Sequence, residues 1–181
     1  MKKFLLLVAL FLINQLHPYE NKIDLLSLYK DLHANPELSY QEFETSEKLA
    51  NLLESIGYEV TRNVGGNGVV ALLKNGNGKN IMFRADMDGL PVEEKTGARY
   101  ASQKKVTNLD GEEVFTMHAC GHDVHMTVLI GVAEYLFENR SEWQGNLILV
   151  LEPAEEVSGG ARNMIKAVSY THLTLPTIQP V

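Results

Sequence analysis

Apolar residues recur along this chain at two different spacings, and the changes of spacing divide it into elements. From Ile23 to Ala34 the positions Ile23, Leu25, Leu26, Leu28, Tyr29 and Leu32 form one broad helical face. The Asn35-Pro36 step ends it, because the residue before a proline is pushed out of the helical region. Glu42 to Ile56 repeats the period through Phe43, Leu49, Leu52, Leu53 and Ile56, with Gly57 placed as a left-handed C-cap. Tyr58 to Arg62 then alternates apolar and polar residues, and Val69 to Leu73 and Ile81 to Arg84 are apolar runs of strand length. Their connector, Lys74 to Asn80, is rich in Gly and Asn, which tolerate positive φ, so the two runs are predicted to pair as a hairpin. Glu93 to Val114 is polar and aperiodic, a surface loop or short hairpin. His122 to Phe137 carries Met126, Leu129, Ile130, Ala133, Leu136 and Phe137 on one helical face, and Leu147 to Leu151 reads as a buried strand. A last helix starts at Ala161 with Met164, Ile165 and Val168 at helical spacing. This order predicts an α/β fold with a sheet of mixed direction.

Length and composition narrow the class. A chain of 181 residues with 45% hydrophobic and 22% charged residues builds one globular domain with a sizeable core, which excludes a disordered or collagen-like chain. A net charge of −7 leaves no basic field for nucleic acid or an anionic membrane surface, so neither is expected as a partner. The single cysteine, Cys120, makes no internal disulfide, and its thiol is open to metal binding, catalysis or burial. Lys2 and Lys3 before the apolar run Phe4 to Ile13 match a secretory signal over residues 1–17, although residues 14–17 show no small-x-small cleavage pattern. The alternative is a buried or amphipathic extension, and the run is too short to span a bilayer. The expected location is secreted or periplasmic if the signal is cleaved, and cytoplasmic otherwise.

Four segments place ligand-capable residues at the ends of apolar elements, where α/β folds hold their sites. In Met117 to His125, three of six histidines and the only cysteine fall within eight residues. Thiolate and imidazole are preferred ligands of zinc and related metals. The competing reading is a buried free cysteine beside polar helix-capping residues, with Asp123 favouring the helix dipole. His125, one turn after His122, suits a supporting or substrate role better than a third ligand. Leu151 to Glu156 ends a strand with the pair Glu155-Glu156. Like charges side by side resist burial, but beside a metal one carboxylate ligates and the other takes a proton. A solvated loop pair is the alternative. Asp86 and Asp88, in Arg84 to Pro91, face one site if the strand continues and otherwise form an Asp-Gly turn. Ser158 to Ala161 presents backbone N–H groups either to a carboxylate or to its own turn.

Taken together, Leu32-His33-Ala34-Asn35-Pro36-Glu37-Leu38-Ser39, Arg84 to Pro91, Met117 to Asp123 and Pro153-Ala154-Glu155-Glu156 with Gly159-Gly160-Ala161 resemble the amidohydrolase branch of the dinuclear metallopeptidases. That branch holds hippurate hydrolases, N-acyl-amino-acid amidohydrolases and auxin-conjugate hydrolases. The resemblance runs from about Ile23 to about Val168 and implies the N-terminal half of a mixed-sheet, zinc-peptidase-like α/β catalytic domain over residues 18–168. It implies two divalent metal ions (zinc, manganese, cobalt or nickel), Cys120 as a bridging thiolate, and His122 and Glu156 as ligands. Glu155 resembles the general base, and Asp86 and Asp88 resemble outer supports that orient the ligands. The implied reaction is hydrolysis of the amide bond of an N-acyl amino acid or short peptide, and the implied full-length form can be a homodimer. Two further histidine ligands and a lid domain of the family are not found in these residues. His172 lies in the segment 169–181, which departs from the family pattern, resembles translated read-through of a sequencing adapter and is given no role. Two other readings stand beside this one: a metal- or peptide-binding remnant without catalysis, and a hydrolase using Cys120 as nucleophile with His122 or His125 as base.

Overall fold

The computed structural model describes residues 22–171. The expected signal at 1–17 and residues 172–181 of the tail, His172 included, lie outside the described residues. Ten elements follow in order: α1 (Leu25–Ala34), α2 (Phe43–Ile56), β1 (Glu59–Val64), β2 (Gly68–Asn75), β3 (Asn80–Asp86), β4 (Lys105–Thr107), β5 (Glu113–Phe115), α3 (His122–Glu138), β6 (Gly145–Glu152) and α4 (Gly160–Thr171). Their boundaries have local causes. Asp24 caps α1 by accepting from the N–H groups of Leu26 and Ser27, and Gly57 closes α2 at φ 119°. The polar stretch between β3 and α3 contains the short antiparallel pair β4–β5.

The sheet has four strands in the order β1-β2-β6-β3. The hairpin predicted across Lys74 to Asn80 is therefore corrected: β2 and β3 do not pair, because β6 lies between them. β6 pairs with β2 antiparallel from Val69↔Leu151 to Asn75↔Gly145, and with β3 parallel from Asn80↔Asn146 to Asp86↔Glu152. The connector still turns, with Gly76 at φ 77°, but turn chemistry does not specify whether the next strand lies adjacent or one place further on. Burial decides it. β6 is buried along most of its length, and an inner place in the sheet pairs both of its edges.

Alternate residues of β2 and β6 serve two cores. Val69, Ala71, Leu73, Leu147, Leu149 and Leu151 face the helices α1, α2 and α3, packing with Leu32, Leu49, Leu53, Met126 and Ile130. Val70 and Ile148 point the other way and meet Val64 and Met164 beneath α4. β3 is an edge strand whose Ile81, Met82 and Phe83 are exposed. Because β3 and β6 run parallel, their C-terminal ends and the loops that follow emerge side by side, next to the N-terminus of α3.

Candidate metal centre

Asp86 and Glu152 end the parallel pair in register. Arg84 bridges them, ion-paired with Glu152 and lying 3.0 Å from Asp86 Oδ1. The strand stops at Asp86, so Asp86 and Asp88 do not share a strand face. Asp86 turns toward His125, whose Nδ1 lies 3.6 Å from its Oδ2, and burial pushes its carboxyl pKa up.

Asp88 turns inward and is 1% exposed. Its Oδ1 accepts from the backbone N–H of Glu155 (3.2 Å), and its Oδ2 accepts from the N–H of Glu156 (3.1 Å) and the Ser39 hydroxyl (2.6 Å). Its carbonyl oxygen accepts a 2.7 Å hydrogen bond from His122 Nδ1. Burial works to raise its pKa, but His122 beside the carboxylate and the hydrogen bonds from Ser39, Glu156 and Glu155 outweigh it and hold the carboxyl below its ordinary value.

The bond to the Asp88 carbonyl fixes the His122 tautomer and leaves Nε2 as its available donor atom. Nε2 lies 3.7 Å from Glu155 Oε2 and 3.8 Å from Glu156 Oε1. Glu156 Oε1 is buried and has no hydrogen-bond partner. Burial works to lower the His122 pKa, but its hydrogen bonds to Asp88 and the charges of Asp88 and Asp86 push it up to about 9. Cys120 is exposed in the turn that enters α3, and Gly121 behind it adopts φ 79°. The Glu156 carboxylate beside its thiol, partial desolvation and the charges of Glu155 and Asp88 push its pKa up.

A divalent cation fits this set. The buried Glu156 oxygen has no hydrogen-bond partner and lies 3.8 Å from His122 Nε2, so a metal between them would satisfy the carboxylate and displace the Nε2 proton. His122, Glu155 and Glu156 present donor atoms within 4.8 Å of one another, and so do Asp86, His122 and His125. Both groups contain His122, which joins them into one acidic cluster at the strand ends. The Ser158 to Ala161 segment makes its own turn: Gly159 and Gly160 both donate to the Ala154 carbonyl, and Ala161 N–H donates to Glu152.

Supporting residues without a role in the sequence reading surround the cluster. Glu37 accepts from the N–H groups of Glu44 and Thr45 at the start of α2, and Gly89 N–H donates to the Glu37 carbonyl, which ties the loop after α1 to the loop after β3. Buried His33 joins Asp123 Oδ2 (2.6 Å) to Glu94 Oε1 (3.0 Å). His118 is 4% exposed, neither ring nitrogen makes a hydrogen bond, and burial pushes its pKa down to about 4. His33 and Glu37 lie in the first of the four motifs and His118 in the histidine cluster, but a motif string is silent about what each residue touches.

An α/β domain that gathers thiol, imidazole and carboxylates where parallel strands end is a metal-site scaffold, and known proteins share it. Residues 82–179, more than half of the chain, match Peptidase family M20/M25/M40. The chain is 46% identical over 136 residues to the hippurate hydrolase of Campylobacter jejuni, covering 75% of this chain and 33% of that protein. It is 40% identical over 145 residues to the N-acetylcysteine deacetylase of Bacillus subtilis, covering 79% and 36%. Among solved structures, the YXEP protein of Bacillus subtilis, described as a dinuclear metal binding peptidase from the M20 family, superposes with a TM-score of 0.70 at 37% identity, covering 81% of this chain and 39% of that one. The chain belongs to peptidase family M20/M25/M40, as the motifs implied. It spans about a third of the length of the curated relatives it matches.

Proposed function

We propose that these residues supply part of the active site of a metal-dependent hydrolase that cleaves the amide bond of N-acyl amino acids or short peptides. The carrying observation is the His122 imidazole, tied through Nδ1 to the Asp88 carbonyl so that Nε2 faces Glu155 and Glu156. The hippurate hydrolase and N-acetylcysteine deacetylase relatives support the N-acyl amino acid class.

In this reading Cys120, His122 and Glu156 hold metal, and Asp86, Asp88 and His125 orient the cluster. Two divalent ions (zinc, manganese, cobalt or nickel) supply Lewis acidity that polarises an amide carbonyl and acidifies water. Glu155, more exposed than Glu156, stands at the open side of the cluster. Its carboxylate accepts a proton from the attacking water and delivers it to the departing amine nitrogen. Acidic neighbours raise the Cys120 thiol pKa, which speaks against a cysteine nucleophile and for a thiol that awaits a cation.

The 181 residues alone place only Cys120, His122 and Glu156 on the metal in this reading, so weak metal binding and no turnover are expected from them by themselves. The test is Glu155→Gln in a full-length protein carrying these residues. Metal content should be unchanged, and hippurate hydrolysis should fall about 10²–10⁴-fold. An unchanged rate removes Glu155 as the base, and lost metal makes it a ligand instead.

A further inference from the structure

The glutamate pair sits on backbone that alanine does not adopt unaided. Between the end of β6 and the start of α4, Ala154 has φ 50° and Ser158 has φ 56°. Ala154 is fully buried and immediately precedes Glu155. A left-handed alanine is disfavoured because its Cβ crowds the backbone, so surrounding contacts must over-determine it.

Those contacts converge on Glu42, a fully buried carboxylate at the start of α2. Its Oε1 accepts from Ala154 N–H at 2.7 Å across 112 residues of sequence, and from Tyr40 N–H at 3.0 Å. Tyr40 is itself left-handed, at φ 67°. The other oxygen of Glu42 accepts from Asn67 Nδ2 at 2.9 Å. The Ala154 carbonyl is held as well, accepting from Gly159 and Gly160. With Asp88 receiving the next two amides, three consecutive N–H groups, those of Ala154, Glu155 and Glu156, donate to buried carboxylates. Glu42 stands at the N-cap of α2 yet makes no cap hydrogen bond, so helix capping does not account for it.

We propose that Glu42 is a positioning residue whose single oxygen clamps two left-handed residues, Tyr40 and Ala154, and thereby aims Glu155 and Glu156 at His122. This rests on the reading of Glu156 as a metal ligand. Glu42 touches neither metal nor substrate and acts through the backbone of the loop.

The test is Co²⁺ titration of a full-length protein carrying these residues, followed through the visible cobalt and thiolate-to-cobalt absorption, with circular dichroism to establish folding. Glu42→Ala should weaken Co²⁺ binding about 10–100-fold, as loss of an orienting partner does. Glu42→Gln keeps an oxygen for Tyr40 and Ala154 while Asn67 can turn its own amide, and should bind close to wild type. Adding Ala154→Gly to Glu42→Ala removes the left-handed penalty and should recover about fivefold in affinity. A merely structural carboxylate gives no such recovery. Glu156→Ala separates the two readings. If it binds Co²⁺ like wild type, the ligand assignment falls and the proposal with it. If it loses binding while Glu42→Ala does not, only the clamp is overturned. Should Glu42→Ala not fold, Glu42→Asp retracts the carboxylate by one methylene and must weaken binding, and unchanged affinity overturns the clamp. Hydrogen exchange of the Ala154 amide in the wild-type chain needs no variant: protection equal to that of β6 is expected, and exchange at an exposed-loop rate refutes the proposal.

Discussion

Asp88→Asn replaces one oxygen of the carboxylate that organises the cluster and changes little else in size. One oxygen of Asp88 serves Glu155 N–H, and the other serves both Glu156 N–H and the Ser39 hydroxyl. An asparagine amide presents only one acceptor. Ser39 can rotate and accept from the new NH₂, but one of the two backbone N–H groups then faces a donor inside a site that is 1% exposed. A buried donor left unsatisfied costs about 1–3 kcal/mol. At about 2–4 °C per kcal/mol for a domain of this size, the melting temperature should fall by about 2–12 °C. The same loss frees the Glu155-Glu156 backbone, and Co²⁺ affinity should fall about 10–100-fold. Differential scanning calorimetry without metal and cobalt titration measure the two effects separately. A variant that melts within about 1 °C of wild type and binds cobalt as tightly removes Asp88 as the organiser.

Three further outcomes follow from the geometry. Burial opposes a charge on His33, but its hydrogen bonds to Glu94 and Asp123 and their charges hold its pKa above the ordinary value. The folded pKa is the higher one, so this stabilisation is complete below about pH 6.5 and is lost as pH rises through the folded value. Urea midpoints should fall across that window in wild type and lose that fall in His33→Gln, and parallel curves refute the pairing. Leu149, 0% exposed at the centre of β6, should cost about 2–5 kcal/mol as alanine, read from urea unfolding. A Cβ on Gly160 would sit 1.6 Å from the Pro153 carbonyl oxygen, so Gly160→Ala must move the loop that carries the glutamates. It should cost about 1–3 kcal/mol and weaken cobalt binding, and retention of both stability and affinity shows a loop freer than described.

The sequence carried the elements better than their arrangement. Helical period and caps located α1, α2 and α3 within a few residues, because each helix satisfies its own backbone and shows its buried face at a fixed spacing. Strand neighbours are another matter. The Gly- and Asn-rich connector after β2 states that the chain turns, while the competitor for β2's free edge, β6, lies some seventy residues on. The four motifs located the cluster because thiol, imidazole and paired carboxylate are rare together. The carboxylates that hold it, Glu42 and Glu94, sit in ordinary polar stretches, and only the folded chain brings Glu42 to Ala154 or Glu94 to His33. Asp88 was singled out in the sequence, but the strand-face argument that paired it with Asp86 ends where β3 does.

The central position of β6 also sets an order of events during synthesis. β2 and β3 leave the ribosome together, each with an unfilled edge and joined by a turn that favours local pairing. The strand that separates them is made only after the whole of α3. A β2–β3 hairpin is the local pairing that competes with the native sheet, in which β6 takes both of those edges. Closure of the sheet waits on a pairing between strands some seventy residues apart in sequence. The loops bearing Asp88, Glu155 and Glu156 meet only when β3 and β6 lie side by side, so the cluster depends on a strand pairing made across the whole of α3.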